Sequence, residues 1–221
     1  RIDIPGKVFG DACFVQDFRL DGLVHARVVR PPAERAVIES MKSESVEKMP
    51  GVLRVVRDGN FVGVIAEREG QARKAATTLA GLIKWELPMD LPGSDEIHDW
   101  LKSAESRTEE VARKGSVAIP ESDAVHREKE QRPDQAPAPK SPPAAVALFA
   151  DSSLTVWCHA QGMYPLRDAI AHTLGLSPDK VRCVHKEASG CYGHNGADDA
   201  ACDAAALAMQ MPGRPVRLQW E

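Results

Sequence analysis

Apolar and polar positions along this chain form two patterned regions separated by a stretch without pattern. In the run 23–29, Leu23, His25 and Arg27 alternate with Val24, Ala26 and Val28. This is the period of a half-buried strand. It follows the segment 12–18 and the turn signals Pro5-Gly6 and Asp21-Gly22, and Pro31-Pro32 stops it. The run 39–48 predicts a short helix closed by Pro50-Gly51. Two apolar runs, 52–57 and 61–67, flank Asp58-Gly59-Asn60, a hairpin signal. Residues 68–82 then place Ala72, Ala75, Ala76, Leu79 and Leu82 at helical spacing, and 83–86 is extended again. Several strands and one long helix make residues 1–86 a compact α+β unit.

Residues 87–143 break the pattern with Pro88, Pro92, Pro120, Pro133, Pro137, Pro139, Pro142 and Pro143. They contain a charge run at 126–131 and a candidate surface helix at 97–110. The stretch reads as a connector, partly disordered. Pattern returns at Ala144. Runs 144–149 and 154–158 flank the turn Asp151-Ser152-Ser153. A helix over 165–174 ends at Gly175. Then come a turn at 177–180, a strand at 181–185, a glycine-rich turn, an alanine-rich helix at 197–211 and a strand at 215–220. The order β-β-α-β-α-β predicts a mixed sheet with helices packed on it, so 144–221 is a second α+β unit.

Composition narrows the functional classes. Hydrophobic residues are 43% of the 221 but aromatics only 5%, so the core rests on Val, Leu, Ile and Ala. A net charge of −4 points away from nucleic acid and anionic membranes. No apolar run approaches the roughly 20 residues that span a bilayer, and no basic-then-apolar signal opens the chain. The chain begins at Arg1 and stops after Trp220-Glu221, directly beyond a strand, so it reads as a piece of a longer polypeptide. Compartment is therefore unreadable, cytoplasmic and periplasmic locations both standing. The five cysteines include no C-x-x-C pair and no ferredoxin-type spacing. Cys13, Cys158, Cys183 and Cys202 read as small buried hydrophobes.

The densest chemistry lies in SGCYGHNGADD, residues 189–199, between the strand 181–185 and the alanine-rich helix. Gly190, Gly193 and Gly196 permit positive φ and close approach. A glycine turn opening a helix leaves N–H groups free for an anion or a cofactor. Its form is G-x-x-G-x-x-G, not the dinucleotide G-x-G-x-x-G. Asp198 and Asp199 complement the helix dipole. Asn195 suits a cap, whereas His194 can titrate, donate or bind metal. Gln161 follows the strand 154–158 and offers both a donor and an acceptor, to a ligand oxygen or to its own backbone. His159 and His185 could join His194 and Cys191 around a metal, although spacing does not demand it. Ser189 lacks the G-x-S-x-G elbow, and a Cys191–His194 nucleophile pair finds little support in its spacing.

Taken together, the motifs resemble the xanthine dehydrogenase and aldehyde oxidase family. RIDIPGKVFG at 1–10, FVQD at 14–17, LVHARVVRPP at 23–32, MPGVLRVV at 49–56 and VGVIAER at 62–68 resemble its hammerhead domain. TVWCHAQ at 155–161 and GCYGHNGADD at 190–199 resemble the first molybdenum-cofactor-binding segment of its large subunit, nearest the isoquinoline 1-oxidoreductase and nicotinate dehydrogenase branch. The resemblance implies a hammerhead domain over 1–86, the connector over 87–143, and over 144–221 the first part of a molybdenum-cofactor-binding domain with a mixed sheet.

It implies further a molybdenum-dependent oxidoreductase that hydroxylates an N-heterocycle or oxidises an aldehyde, with water as the oxygen source. Iron–sulfur clusters would sit on a partner subunit within a hetero-oligomer or dimer, with a cytochrome as a candidate acceptor. Gln161, Gly190, Cys191, Tyr192, Gly193, His194 and Asn195 would then form the cofactor-binding set. No residue here is expected to ligate the metal, which a pterin dithiolene holds. The catalytic glutamate is expected downstream, so the 221 residues alone should neither hold the cofactor stably nor turn over. The chain departs from the family at Asp134, usually an aromatic, and at Pro137, usually a histidine. The rival reading is a non-catalytic assembly or partner-binding module without cofactor.

Overall fold

A computed structural model describes residues 2–12, 14–90, 92–115, 128–132, 140–193 and 195–220. Cys13, His194, Asp134, Pro137, Glu221 and the first part of the charge run lie outside the described residues. The chain divides into two units, Arg1–Leu87 with Pro137–Glu221, and Pro88–Ala136. Among the described residues no helix is long and apolar enough to cross a membrane.

The larger unit is built on a seven-stranded mixed sheet. Its strands are β1 (Val24–Val29), β3 (Val52–Asp58), β4 (Phe61–Ala66), β6 (Ala144–Ala150), β7 (Ser153–Cys158), β8 (Val181–His185) and β9 (Val216–Gln219). Their order is β3-β4-β1-β9-β6-β7-β8. The pairs β1/β9 and β7/β8 are parallel, and the other pairs are antiparallel. The α+β architecture with a mixed sheet, read from the sequence, is therefore present. β9 lies between β1 and β6, so strands from both patterned regions share one sheet.

Helices cover both faces. On one side α5 (Met163–Leu174) and α6 (Ala197–Met209) pack with Val24, Ala26, Ile65 and Leu218. On the other, α3 (Glu69–Ala80) packs Ala75, Ala76 and Leu79 onto Val29, Val62 and Val64. This corrects the half-buried reading of β1. Arg27 is buried, because α3 closes the face that its polar residues were expected to show to water. Its guanidinium reaches Glu69 Oε1 at the first turn of α3, 2.9 Å away. Close layering requires small residues. Ala200, Ala201, Ala204, Ala205 and Ala208 of α6 are fully buried. Gly63 of β4 carries no Cβ, and one placed there would stand 2.7 Å from Leu207 Cδ2.

The hairpins fall where the turn signals placed them. Asp151 and Ser152 both have positive φ, 50° and 57°, the backbone of a tight two-residue connection between β6 and β7. The helix expected over 39–48 is not formed as such. Val37–Met41 is a strand, β2, and only Glu44–Glu47, α2, is helical. β2 pairs antiparallel with β5 (Ile83–Glu86) in a separate two-stranded sheet. Asn60 fixes its start, accepting from Ile38 N–H and donating to Ala36 O, each at 3.1 Å. These distant partners outweigh local helical preference. At the N-terminus α1 (Ile4–Phe9) buries none of its residues.

In the smaller unit, α4 spans Ile97–Ser103 and stops at Ala104, well before the expected end at 110. Glu105, Glu109 and Glu110 offer no apolar side chain to hold further turns, and a helix this short is marginal without packing. Asp99 Oδ1 meets Lys102 at 3.5 Å and Lys129 at 3.8 Å.

Candidate functional site

The site is set by the parallel pair β7/β8, which runs in register as far as Cys158 opposite His185. Beyond their carboxyl ends the chain leaves in two loops, 159–162 leading to α5 and 186–196 leading to α6. Crevices at the carboxyl ends of neighbouring parallel strands are the usual ligand sites of α/β sheets. A cavity of about 540 Å³ opens there, lined by Lys7, Phe14, His159, Ala160, Gln161, Met163, His185, Glu187, Ala188, Ser189, Gly190, Cys191 and Asn195. That volume suits a small molecule or cofactor.

Gln161 is exposed at this cavity. Its Nε2 donates to Gly193 O at 3.2 Å and to Cys191 Sγ at 3.0 Å, and Cys191 Sγ donates in turn to Gly193 O at 3.1 Å. The amide therefore meets the glycine turn across 30 residues of sequence. Gly190 and Gly193 have φ of 84° and 92°, left-handed values that side-chain-bearing residues rarely adopt. A Cβ at Gly190 would lie 2.8 Å from the Tyr192 ring, so the bare backbone lets that ring fold over it. Tyr192 is 60% exposed, beside the cavity and not buried away from it.

Asn195 and His159 form the floor. Both are buried. Asn195 Oδ1 accepts Ala197 N–H, at the start of α6, at 3.1 Å, while its Nδ2 lies 3.1 Å from His159 Nδ1. His159 Nε2 accepts Ala144 N–H at 3.2 Å. Burial first, and then the neighbouring His185 charge, holds the His159 imidazole below its ordinary value. A ring that accepts a main-chain N–H and resists protonation braces the loop. Burial likewise pushes the Cys158 thiol up to about 11 and Cys183 to about 12, so both are neutral at pH 7, in keeping with small core residues.

The structure thus brings Gln161, Gly190, Cys191, Tyr192, Gly193 and Asn195 together, while His194 lies outside the described residues. Lys7, Phe14, Met163 and Glu187 also line the cavity. Sequence reasoning missed these four. Lys7 Nζ sits between Asp3, 2.6 Å away, and Glu187. The hydrogen bond to Asp3, then that to Glu187, raises its pKa. The one signal for Lys7 was its place in the RIDIPGKVFG run.

The sequence profile of the molybdopterin cofactor-binding domain matches residues 101–221. The chain belongs to that family. Among curated proteins, a nicotinate dehydrogenase subunit of Pseudomonas putida is 34% identical over 99% of this chain and 19% of its own length. The beta subunit of isoquinoline 1-oxidoreductase from Brevundimonas diminuta is 26% identical over 100% of this chain and 30% of its own. In fold, the chain is similar to quinoline 2-oxidoreductase from Pseudomonas putida 86, with TM-score 0.69, 17% identity and coverage of 100% and 34%. It is also similar to aldehyde oxidoreductase from Desulfovibrio gigas, with TM-score 0.64, 18% identity and coverage of 100% and 30%. The chain therefore spans about a fifth to a third of the length of these relatives. The residues at the crevice fit a molybdopterin-type group. Gly190 and Cys191 of the glycine turn line the cavity, an exposed amide at Gln161 suits an oxygen ligand, and among the described residues Glu187 is the one carboxylate lining the cavity.

Proposed function

We propose that the chain is a portion of the cofactor-carrying subunit of a molybdenum hydroxylase that hydroxylates an N-heterocycle, or oxidises an aldehyde, with the oxygen drawn from water. Residues 1–86 form its hammerhead domain, 87–143 the connector, and 144–221 the first part of its cofactor-binding domain. One observation carries this reading: the Gln161 amide and the Gly190–Gly193 turn converge at the mouth of one cavity. The names of the relatives, nicotinate dehydrogenase and isoquinoline 1-oxidoreductase, favour an N-heterocycle over an aldehyde.

When bound, the molybdenum–pterin group supplies the oxygen-transfer and electron-accepting chemistry. This chain's residues bind and orient. Gln161 would turn to an oxygen on the ligand one of the two amide N–H groups that now bond Gly193 O and Cys191 Sγ. The turn holding Gly190 and Gly193 would lie against the group, with Cys191, Tyr192, His194 and Asn195 completing the set. Neutral His159 steadies the loop floor by accepting Ala144 N–H at Nε2, and its main-chain oxygen accepts from Asn195 Nδ2. The proton-abstracting glutamate is expected outside these residues. An iron–sulfur partner subunit would accept the electrons, with a cytochrome as a candidate final acceptor.

Metal analysis of the full-length subunit, purified with its co-expressed partner, tests this. Near-stoichiometric molybdenum is expected, together with label from ¹⁸O-water in the hydroxylated product. Gln161→Ala should lower turnover about 10–100-fold, the usual effect of removing a group that orients a metal centre. A full-length protein without molybdenum, or a Gln161→Ala variant with unchanged turnover, overturns the reading.

A further inference from the structure

The glycine turn is pinned by two segments remote from it in sequence. β8 loses its neighbour when β7 ends, the last contact being Lys186 N–H to Cys158 O at 2.8 Å. A glycine-bearing loop without partners from that point would be free to sample many conformations. Instead, Val15 N–H donates to Glu187 O at 2.8 Å, and Phe14 bridges Glu187 in parallel fashion. Ser189 N–H donates to Ser141 Oγ at 3.3 Å, and Ser189 O accepts Lys140 N–H at 3.1 Å. Lys7 closes an ion pair on the Glu187 carboxylate and is itself anchored to Asp3. The two holding segments are joined to each other, because Gln16 Nε2 donates to Pro142 O at 2.9 Å.

We propose that Ser141 and Lys7 are positioning residues for the cofactor site. Acting through Ser189 and Glu187, they hold the turn in its cofactor-ready shape before any pterin arrives. The inference rests on the functional reading above for what the turn binds, but the clamp itself is a property of this chain. Its advantage is preorganisation: a loop already ordered loses less freedom when the ligand binds. Ser141 supplies one neutral hydrogen bond. Lys7 supplies an ion pair whose ammonium is tied on two sides, so its contribution is geometric as much as electrostatic.

Hydrogen exchange on the full-length subunit, prepared without cofactor, provides a readout independent of activity. In Ser141→Ala, amides of 187–193 should exchange about fivefold to tenfold faster, the effect of one lost hydrogen bond. Amides of β8 should be unchanged. Ser141→Thr, which keeps the hydroxyl, should restore protection. Lys7→Met should loosen the same segment, and Lys7→Arg should do so less. Molybdenum occupancy after reconstitution with limiting cofactor should fall in Ser141→Ala and Lys7→Met in step with the loosening. Unchanged exchange at 187–193 overturns the clamp, as does a uniform rise that includes β8. If the wild type takes up no molybdenum, the functional reading fails while the exchange comparison still decides the clamp.

Discussion

His159 is buried, accepts the Ala144 N–H at Nε2, and has its protonated form disfavoured by burial and by His185. Its folded-state pKa therefore lies below the unfolded value of about 6.5. On acidification the unfolded chain takes the proton first, so stability holds above that value and falls as pH drops below it. His25, lowered by burial and by the Arg217 charge, acts in the same direction. Urea unfolding between pH 8 and pH 5.5 should show this decline. In His159→Gln, whose Oε1 can still accept from Ala144, the acid slope should shrink by up to about 1.4 kcal/mol per pH unit, one proton's worth, leaving the His25 part. Identical slopes in the two proteins would refute the role given to this ring. Asp203 bends stability the other way. Burial raises its pKa despite Arg30 and the Trp220 indole N–H at 3.1 Å. The folded chain therefore takes this proton before the unfolded chain does, and gains stability as pH falls toward the carboxylate range.

The fit of α6 on the sheet depends on small residues at close contacts. Leu207 is fully buried, and its Cδ2 occupies the space where a side chain on Gly63 would begin. Gly63→Val should force Leu207 off its packing and destabilise the protein by about 1–3 kcal/mol, the usual cost of overfilling a core. Denaturant midpoints measure it, and Gly63→Val combined with Leu207→Ala should recover part of the loss. A neutral Gly63→Val would mean the helix sits further from β4 than described. Elements of this kind were legible in the sequence. The alanine register of α6, the spacing in α3 and the turns around Asp58-Gly59-Asn60 and Asp151-Ser152 are local signals, and each element formed where the signal lay. β2 was not legible. Its partner β5 lies more than forty residues on, and the Asn60 side chain that fixes its start belongs to another hairpin. Nor could alternation alone show that β1 would be covered on both faces, since that depends on where α3 lands.

At the scale of the larger unit, sequence order and spatial order diverge most. The glycine turn was readable because strand, glycines and helix are contiguous, and Gln161 because it ends a strand. Lys7, Ser141 and Glu187 were not, because each matters through a contact made by a distant segment. The same feature governs folding. β9, the last of the described strands, pairs with β1 through Val24–Val216 to Ala26–Leu218 and with β6 through Ala144–Gln219 to Ala147–Val216. Arg30, from the first patterned region, closes an ion pair on Asp203 and lies 5.0 Å over the Trp220 ring. Neither patterned region has a complete sheet without this strand, and an uncovered β1 edge would invite association. The two regions should therefore unfold as one. Trp85 in β5, Trp157 in β7 and Trp220 beyond β9 report on the two regions and their seam. In variants retaining a single one of these indoles, with Trp100 replaced, fluorescence should give coincident urea midpoints, as cooperative two-state unfolding requires. Removing residues 215–221 should shift the Trp85 and Trp157 transitions together. A Trp85 midpoint that stays put while Trp157 moves would show that the first region folds without the central strand, and would separate the sheet into two independent halves.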